Sequence, residues 1–160
     1  MKKVIIIVAL LLVSSSSFAQ KFTLNELIKM NNMNLNDFDT YVTSKGYVFE
    51  NGNTKMRSYH YNKSKVNGEH FTAERHVYKS ETGFIGYHTL HSEEYSSFKN
   101  QLKEMHFTFI KTENEPMNNA AIFEYENSDY KVLLTSDKNK DIDNGQDLDG
   151  QRYGIKISRK

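Results

Sequence analysis

The stretch from Leu35 to Phe49 reads L-N-D-F-D-T-Y-V-T-S-K-G-Y-V-F, and its pattern returns sixty residues later. Bulky residues at 35, 38, 42, 47 and 49 coincide with bulky residues at 95, 98, 102, 107 and 109. The first three positions follow the spacing of one helical face, and the step from 47 to 49 is the spacing of a strand. Each copy therefore predicts a helix, a sharp turn and the first strand of a sheet.

The turn between helix and strand is the most specific part of this pattern. Gly46 follows the first helix, where a glycine readily takes the left-handed conformation that ends a helix. His106 stands at the equivalent position of the second copy. Histidine tolerates this conformation better than most side chains, so we expect the same turn there with some strain.

Two further signals place helices at the start of the first copy. Thr23 with Glu26 forms a capping-box pattern, which predicts a helix that begins at residue 24. Asn34 with Asp37 repeats the pattern in front of the second helix. The asparagine-rich segment between them should end the first helix, because asparagine competes with the helical backbone for hydrogen bonds.

The rest of each copy alternates apolar and polar residues, which predicts strands. The sequence predicts an α+β fold in which two units, about 24–90 and 92–160, form one antiparallel sheet with helices packed on one face. A loop rich in aspartate, from Asp137 to Gln151, should separate the last two strands. The eight predicted strands are 47–50, 56–61, 70–78, 84–90, 107–111, 120–126, 130–136 and 153–158.

This order of elements resembles the tandem modules of the β-lactamase-inhibitor-protein type. In those modules two helix-plus-four-strand repeats line up, and the open face of the sheet grips another protein. The resemblance covers residues 20–160 at the level of element order and rests on no sequence motif. The chain has no cysteine, so the disulfides of that family are missing. The resemblance implies a protein-binding face and does not imply inhibition of any enzyme.

The first residues have the features of a secretory signal peptide. Two lysines precede an apolar run from Val4 to Val13, and small residues at 17 and 19 suit cleavage before Gln20. The run is too short to span a bilayer, which takes roughly 20 residues as a helix. We therefore expect residues 1–19 to be a signal peptide, residues 20–160 to be one domain, and the protein to be periplasmic or secreted. The alternative is a retained membrane anchor.

The charge of the chain disfavours two classes of partner. Without the two lysines of the signal, 19 basic residues face 20 acidic ones, which is a formal net charge of −1. Basic and acidic residues are interspersed, so nothing marks a surface for nucleic acid or for an anionic membrane. We therefore expect no nucleic-acid partner, and no membrane span once the signal is removed.

The aspartate-rich loop is a weak candidate for a calcium site. A calcium loop that begins at Asp137 would have Ile142 in place of its turn glycine and Leu148 in place of its bidentate glutamate. An irregular site built by Asp141, Asp143 and Asp147 stays open. The simpler interpretation is a solvated loop, because Ile142 and Leu148 supply neither the bend nor the oxygens.

Histidine and tyrosine are concentrated on the predicted strands of the first unit. His70 and His76 are an even number of residues apart, so they point to the same face of their strand. This allows either a cross-strand metal site or an ordinary solvent-exposed face. The tyrosines suit an aromatic binding surface, and they equally suit half-buried positions of a sheet. The candidate binding face consists of Tyr59, Tyr61, His70, His76, Tyr78 and Tyr87.

No pattern in the chain indicates catalysis. There is no cysteine, no G-x-S-x-G motif and no H-E-x-x-H motif, so the sequence marks no nucleophile or base, and we predict no catalytic residue and no cofactor. The sequence favours a non-enzymatic module that binds a protein or peptide through the open face of its sheet. The alternative is an envelope protein that binds a small ligand or a divalent metal.

Overall fold

The computed structural model describes residues 21–66, 70–115, 120–140 and 147–160, and their side chains except those at 63–66, 70–73, 138–140 and 147–150. Within these ranges three helices and eight strands form the predicted α+β fold, with the helices packed on one face of a single antiparallel sheet. In chain order the elements are α1 (Leu24–Asn31), α2 (Leu35–Ser44), β1 (Val48–Gly52), β2 (Met56–Val66), β3 (His70–Ser80), β4 (Phe84–Thr89), α3 (Ser92–Glu104), β5 (Thr108–Glu115), β6 (Ala120–Glu126), β7 (Tyr130–Lys140) and β8 (Asp147–Arg159).

The order of the strands in the sheet is β1-β2-β3-β4-β8-β7-β6-β5. Each unit contributes a four-stranded meander, and the two meanders meet where β4 pairs with β8. Consecutive strands of each unit are therefore neighbours in the sheet, whereas the connection from β4 through α3 to β5 leads from the centre of the sheet to its edge. β1 and β5, the first strands of the two units, form the two edges of the sheet.

The predicted turn occurs in both units. Gly46 has φ 84° and His106 has φ 58°, so both residues are left-handed. The amide of Tyr47 donates to the carbonyl of Val42 at 3.2 Å, and the amide of Phe107 donates to the carbonyl of Leu102 at 2.9 Å. These bonds close the same helix-ending motif sixty residues apart.

The two edge strands also carry the same irregularity. The pairing register of β1 shifts between Phe49 and Asn51, and that of β5 shifts between Phe109 and Lys111. Each shift is a β-bulge, which twists an edge strand and discourages pairing with another chain. The bulges are again sixty residues apart.

Cross-strand partners followed inward from the bulges equate positions in the two units. Phe49 leads through Tyr59 and Val77 to Tyr87, and Phe109 leads through Tyr125 and Val132 to Ile157. By the same register Gly86 is equivalent to Lys156, and these two residues are also partners across β4 and β8. A pseudo-twofold axis therefore passes through the Gly86–Lys156 pair.

The predicted helix caps are present. The Thr23 hydroxyl accepts from the amide of Glu26 at 3.2 Å, and the Glu26 carboxylate accepts from the amide of Thr23 at 2.8 Å. Asn34 accepts from the amide of Asp37 at 2.9 Å. Burial would raise the pKa of Glu26, but hydrogen bonds from Lys45 and the Thr23 amide outweigh burial and lower it to about 2.

One core lies between the helices and the inner face of the sheet. Val42 of α2 and Leu102 of α3, which are equivalent, are both fully buried. No helix in the described part of the chain is long and apolar enough to span a membrane. The largest fully buried side chains are Tyr87, Phe38, Leu24, Leu27, Met30, Ile85, Leu102, Leu134, Ile155, Ile157, Val42 and Val77.

The last two strands are longer than the sequence predicted. β7 continues to Lys140 and β8 begins at Asp147, so both ends of the expected loop 137–151 belong to strands. Asp137 pairs with Arg152 in the ladder, and a guanidinium nitrogen of Arg152 lies 3.2 Å from the Asp137 carboxylate. This cross-strand ion pair helps to extend the strands into a polar segment that sequence periodicity treats as a loop.

Candidate functional site: the open face of the sheet

Three of the predicted binding-face tyrosines lie on the wrong side of the sheet. Tyr59, Val77 and Tyr87 are partners across β2, β3 and β4, so they form one row that points to the helices. Tyr59 is 3% exposed and Tyr87 is 0% exposed, and Tyr61 packs against the same core. The prediction that Tyr59, Tyr61 and Tyr87 belong to an open binding face is therefore wrong.

A buried polar contact explains why Tyr87 belongs in the core. Its hydroxyl donates to the Glu94 carboxylate at 2.6 Å, and Arg75 donates to the same carboxylate at 2.6 and 2.9 Å. Burial raises the pKa of the Tyr87 hydroxyl, so it stays a donor. Glu94 is 5% exposed although it lies in the first turn of α3, where sequence alone suggests a solvated acid.

The open face is the side of the sheet away from the helices, and its centre is aromatic. His76 and Tyr78 of β3 lie beside Phe84 and His88 of β4, and we call these four residues the aromatic cluster. The Tyr78 ring centroid is 5.5 Å from that of His88, 5.7 Å from that of His76 and 6.1 Å from that of Phe84. His70 shares the strand parity of His76, but its side chain is outside the described residues.

Two glycines allow two rings of this cluster to approach the backbone of the sheet closely. A Cβ atom at Gly86 would lie 2.1 Å from Cζ of Tyr78, so the tyrosine ring covers the glycine. A Cβ atom at Gly154 would lie 2.8 Å from Cδ2 of His88. A glycine inside a strand often marks such a close approach, which is the sequence signal that could have located this centre.

The aromatic cluster has neutral members at pH 7. Burial lowers the pKa of His88 to about 4, and the positive charge of Arg152 and the neighbouring His76 act in the same direction. Burial also raises the pKa of the Tyr78 hydroxyl. His88 and Tyr78 therefore offer uncharged, ring-shaped contacts in the middle of the face.

Charged side chains surround the cluster, and most of them are paired. Glu50 lies 3.0 Å from Nε2 of His76, and Lys131 lies 2.7 Å from the Glu124 carboxylate. Lys156 is different: its ammonium lies 4.5 Å from the centroid of the Phe84 ring, and it has no ion-pair partner among the described side chains.

A serine, a histidine and a glutamate meet beside the cluster, so their geometry must be compared with a catalytic triad. Ser58 Oγ lies 2.6 Å from Nε2 of His76, and the Glu50 carboxylate lies 3.0 Å from the same nitrogen. In serine hydrolases the acid holds the opposite ring nitrogen, which leaves Nε2 to take the serine proton. Ser58 is also only 4% exposed. The arrangement does not activate the serine.

The equivalent residues of the second unit indicate the role of the contact between Ser58 and His76. The strand registers equate Ser58 with Glu124 and His76 with Lys131. Glu124 and Lys131 form a cross-strand ion pair at 2.7 Å, and Glu124 is 8% exposed. A polar pair therefore joins the equivalent strands in both units, which is an ordinary way to stabilise a sheet.

The structure brings together no metal site in the part that it describes. No group of three or more histidine, aspartate or glutamate side chains in the described residues is placed to hold a metal ion. Asp141 and Asp143 lie outside the described residues. Asp147 lies at the start of β8, and its side chain is likewise not described.

A groove of about 340 Å³ lies beside the turn between α1 and α2. Lys79 reaches it from β3, but its ammonium donates to the carbonyl of Asn31 at 2.7 Å. That carbonyl is at the C-terminal end of α1, where a cation is favourable. Burial lowers the pKa of Lys79. The helix end thus accounts for this buried lysine.

No protein family, curated protein or solved structure matches the chain in comparisons with known proteins. The residues of the open face are therefore the basis for a functional proposal.

Proposed function

We propose that the chain is a non-enzymatic module that binds another protein or a peptide through the open face of its sheet. The observation that carries this proposal is the aromatic cluster, in which Tyr78 and His88 lie close against Gly86 and Gly154. Protein interfaces typically have an aromatic centre that excludes water and a polar rim around it. The cluster and its surrounding ion pairs have this arrangement.

The resemblance of the element order to tandem modules of the β-lactamase-inhibitor-protein type supports the same proposal. In those modules the corresponding sheet face grips a protein. The geometry at Ser58 supports a binding role over a hydrolytic one, because the hydroxyl is buried and the carboxylate shares Nε2 of His76 with it.

Site-specific photo-crosslinking tests the proposal. A photoreactive phenylalanine analogue is placed at Leu133 or Tyr78 on the open face, and at Ser96 on the exposed side of α3 as the matched control. Expressed in its native host, the protein should form the same crosslinked species from both open-face positions and not from Ser96. Crosslinks from Ser96 alone, or one identical pattern from all three positions, would show that the open face is not the binding surface.

We further propose that the module acts outside the cytoplasm. The apolar run from Val4 to Val13 and the small residues before Gln20 support export with cleavage at that point. The intact mass of the exported protein should correspond to a chain that begins at Gln20. A mass that still contains the apolar run would contradict cleavage and would support a membrane anchor instead.

A further inference from the structure

We infer that Lys156 anchors an acidic side chain of the partner, so that the open face selects a protein segment with an aspartate or glutamate between apolar residues. This inference rests on the proposed function and names the chemistry of the partner. Three observations carry it: the pairing of the other basic side chains on the face, the apolar surroundings of the lysine, and its position at the axis between the two units.

Among the described lysine and arginine side chains of the open face, Lys156 is the one without an ion-pair partner. The other described basic side chains of the face each lie within 4.0 Å of a carboxylate, and the unpaired acid Glu115 lies at the end of the edge strand β5. A partner gains little from meeting groups that are already paired, because it would have to displace their ion pairs. The pairs are Glu50–His76, Glu74–His91, Lys111–Glu113, Glu124–Lys131, Glu126–Lys160 and Asp137–Arg152.

The surroundings of Lys156 favour a carboxylate over water. The ammonium lies over the Phe84 ring at 4.5 Å, and Leu133 is the cross-strand partner of Lys156 on β7. All three side chains are half-buried. A cation–π contact at a partly exposed site is weak, so the ammonium still gains from an anion. A partner that covers Phe84 and Leu133 would lower the local dielectric and strengthen that ion pair.

The position of Lys156 makes it a central contact. It pairs with Gly86, over which the Tyr78 ring lies. Energetically important contacts cluster near the centre of an interface, where neighbouring groups keep water out. Lys156 would repel a basic partner segment, so the face selects its partner by the sign of the charge as well as by shape.

Peptide display provides the test. Random peptides displayed on phage are selected on the purified protein, and the enriched peptides are measured by fluorescence anisotropy against variants. Lys156→Met removes the charge and keeps most of the length. Lys99→Met is the matched control, because the Lys99 ammonium lies 4.6 Å from the Tyr95 ring and 4.7 Å from the Phe123 ring on the helix side.

We expect enriched peptides to contain an acid next to apolar residues, to lose about tenfold in affinity with Lys156→Met, and to bind Lys99→Met like the wild type. Lys156→Glu should select basic peptides instead. Thermal melts of both methionine variants should match the wild type, which separates lost binding from lost folding.

Two outcomes would overturn the inference in distinguishable ways. Peptides that lack an acid, or that bind Lys156→Met unchanged, yet lose affinity with Tyr78→Ala, would refute the role of Lys156 and leave the binding face intact. No enriched peptide, or peptides insensitive to both Tyr78→Ala and Lys156→Met, would refute both proposals. Self-association that Lys156→Met abolishes, without peptide binding, would mean that the face binds a second copy and would overturn the acidic-segment inference.

Discussion

The half-buried imidazole of His88 should make stability depend on pH between about 4 and 6.5. In the unfolded chain a histidine titrates near 6.5, and in the folded protein the pKa of His88 is about 4. Between these values the unfolded state binds a proton that the folded state does not, so acid favours unfolding. Stability should therefore be complete above about pH 6.5 and should fall as the pH is lowered to about 4.

The expected magnitude follows from the same two values. The span from 6.5 to about 4, at about 1.4 kcal/mol per pH unit, corresponds to roughly 3 kcal/mol in full and to roughly 2–3 kcal/mol between pH 7 and pH 4.5. Carboxylates contribute mainly below this window. Glu26, for example, has a folded pKa of about 2 and an ordinary value of 4.5, so its contribution is lost below pH 4.5.

Urea unfolding at several pH values measures this effect. The wild type should lose roughly 2–3 kcal/mol between pH 7 and pH 4.5, and His88→Gln should lose much less because glutamine does not titrate. His106→Asn is the control, since it removes an exposed histidine and keeps a residue that tolerates the left-handed conformation. It should behave like the wild type.

Two results would refute the reasoning. If His88→Gln kept the full acid dependence, the proton uptake would belong to another group. If the His88 ring titrated near pH 6.5 by NMR, the side chain would be solvated, and it would not lie against Gly154 as part of a neutral aromatic cluster.

Three further predictions concern the core, the turns and the open face. Val42→Ala and Leu102→Ala should destabilise the protein by about 2 kcal/mol and about 2–5 kcal/mol in urea unfolding, and a silent variant would contradict burial of that site. Gly46→Ala should cost about 1 kcal/mol and His106→Gly should gain up to about 1 kcal/mol in thermal melts, because both sites are left-handed; effects of the same sign would contradict this. Gly86→Ala should displace the tyrosine ring above it and weaken partner binding more than it lowers the melting temperature, and unchanged binding would contradict a role for the cluster.

The local features of the fold could be predicted because neighbouring residues determine them. The caps at Thr23 and Asn34 depend on residues three positions away, and the turns at Gly46 and His106 depend on the backbone conformation of one residue. The alternation of apolar and polar residues within each copy indicated the number of strands. Such features need no knowledge of which strands become neighbours.

The face of the sheet that each tyrosine occupies could not be predicted in the same way. The alternation of side chains along β3 places Tyr78 and Val77 on opposite faces of the sheet. The face that Tyr59 occupies depends on its pairing with Val77 across the turn between β2 and β3. A shift of one residue would have moved Tyr59 to the other face. Tyrosine gives no help because it suits both a core and a binding surface.

The centre of the open face was also beyond local signals. Gly154 is far from His88 in sequence, and only the pairing of β4 with β8 brings the two together. The ion pair between Asp137 and Arg152 likewise forms across a segment that looks like a loop. Glycines within strands were the available hint, and their partners could be identified only from the order of the strands.

The two units have the same architecture, but equivalent positions of the open face carry different side chains on the two sides of the pseudo-twofold axis. At the axis Gly86 stands opposite Lys156, and the Tyr78 ring fills the space above the glycine. The equivalent of Tyr78 is Leu133, which has no ring to lie over its cross-strand partner, and a long charged side chain occupies position 156. A side chain at 86 would exclude the ring, and a ring at 133 would crowd the lysine. These paired differences give the first unit an aromatic surface with a cation over Phe84 at its edge, so a bound segment would have one favoured orientation.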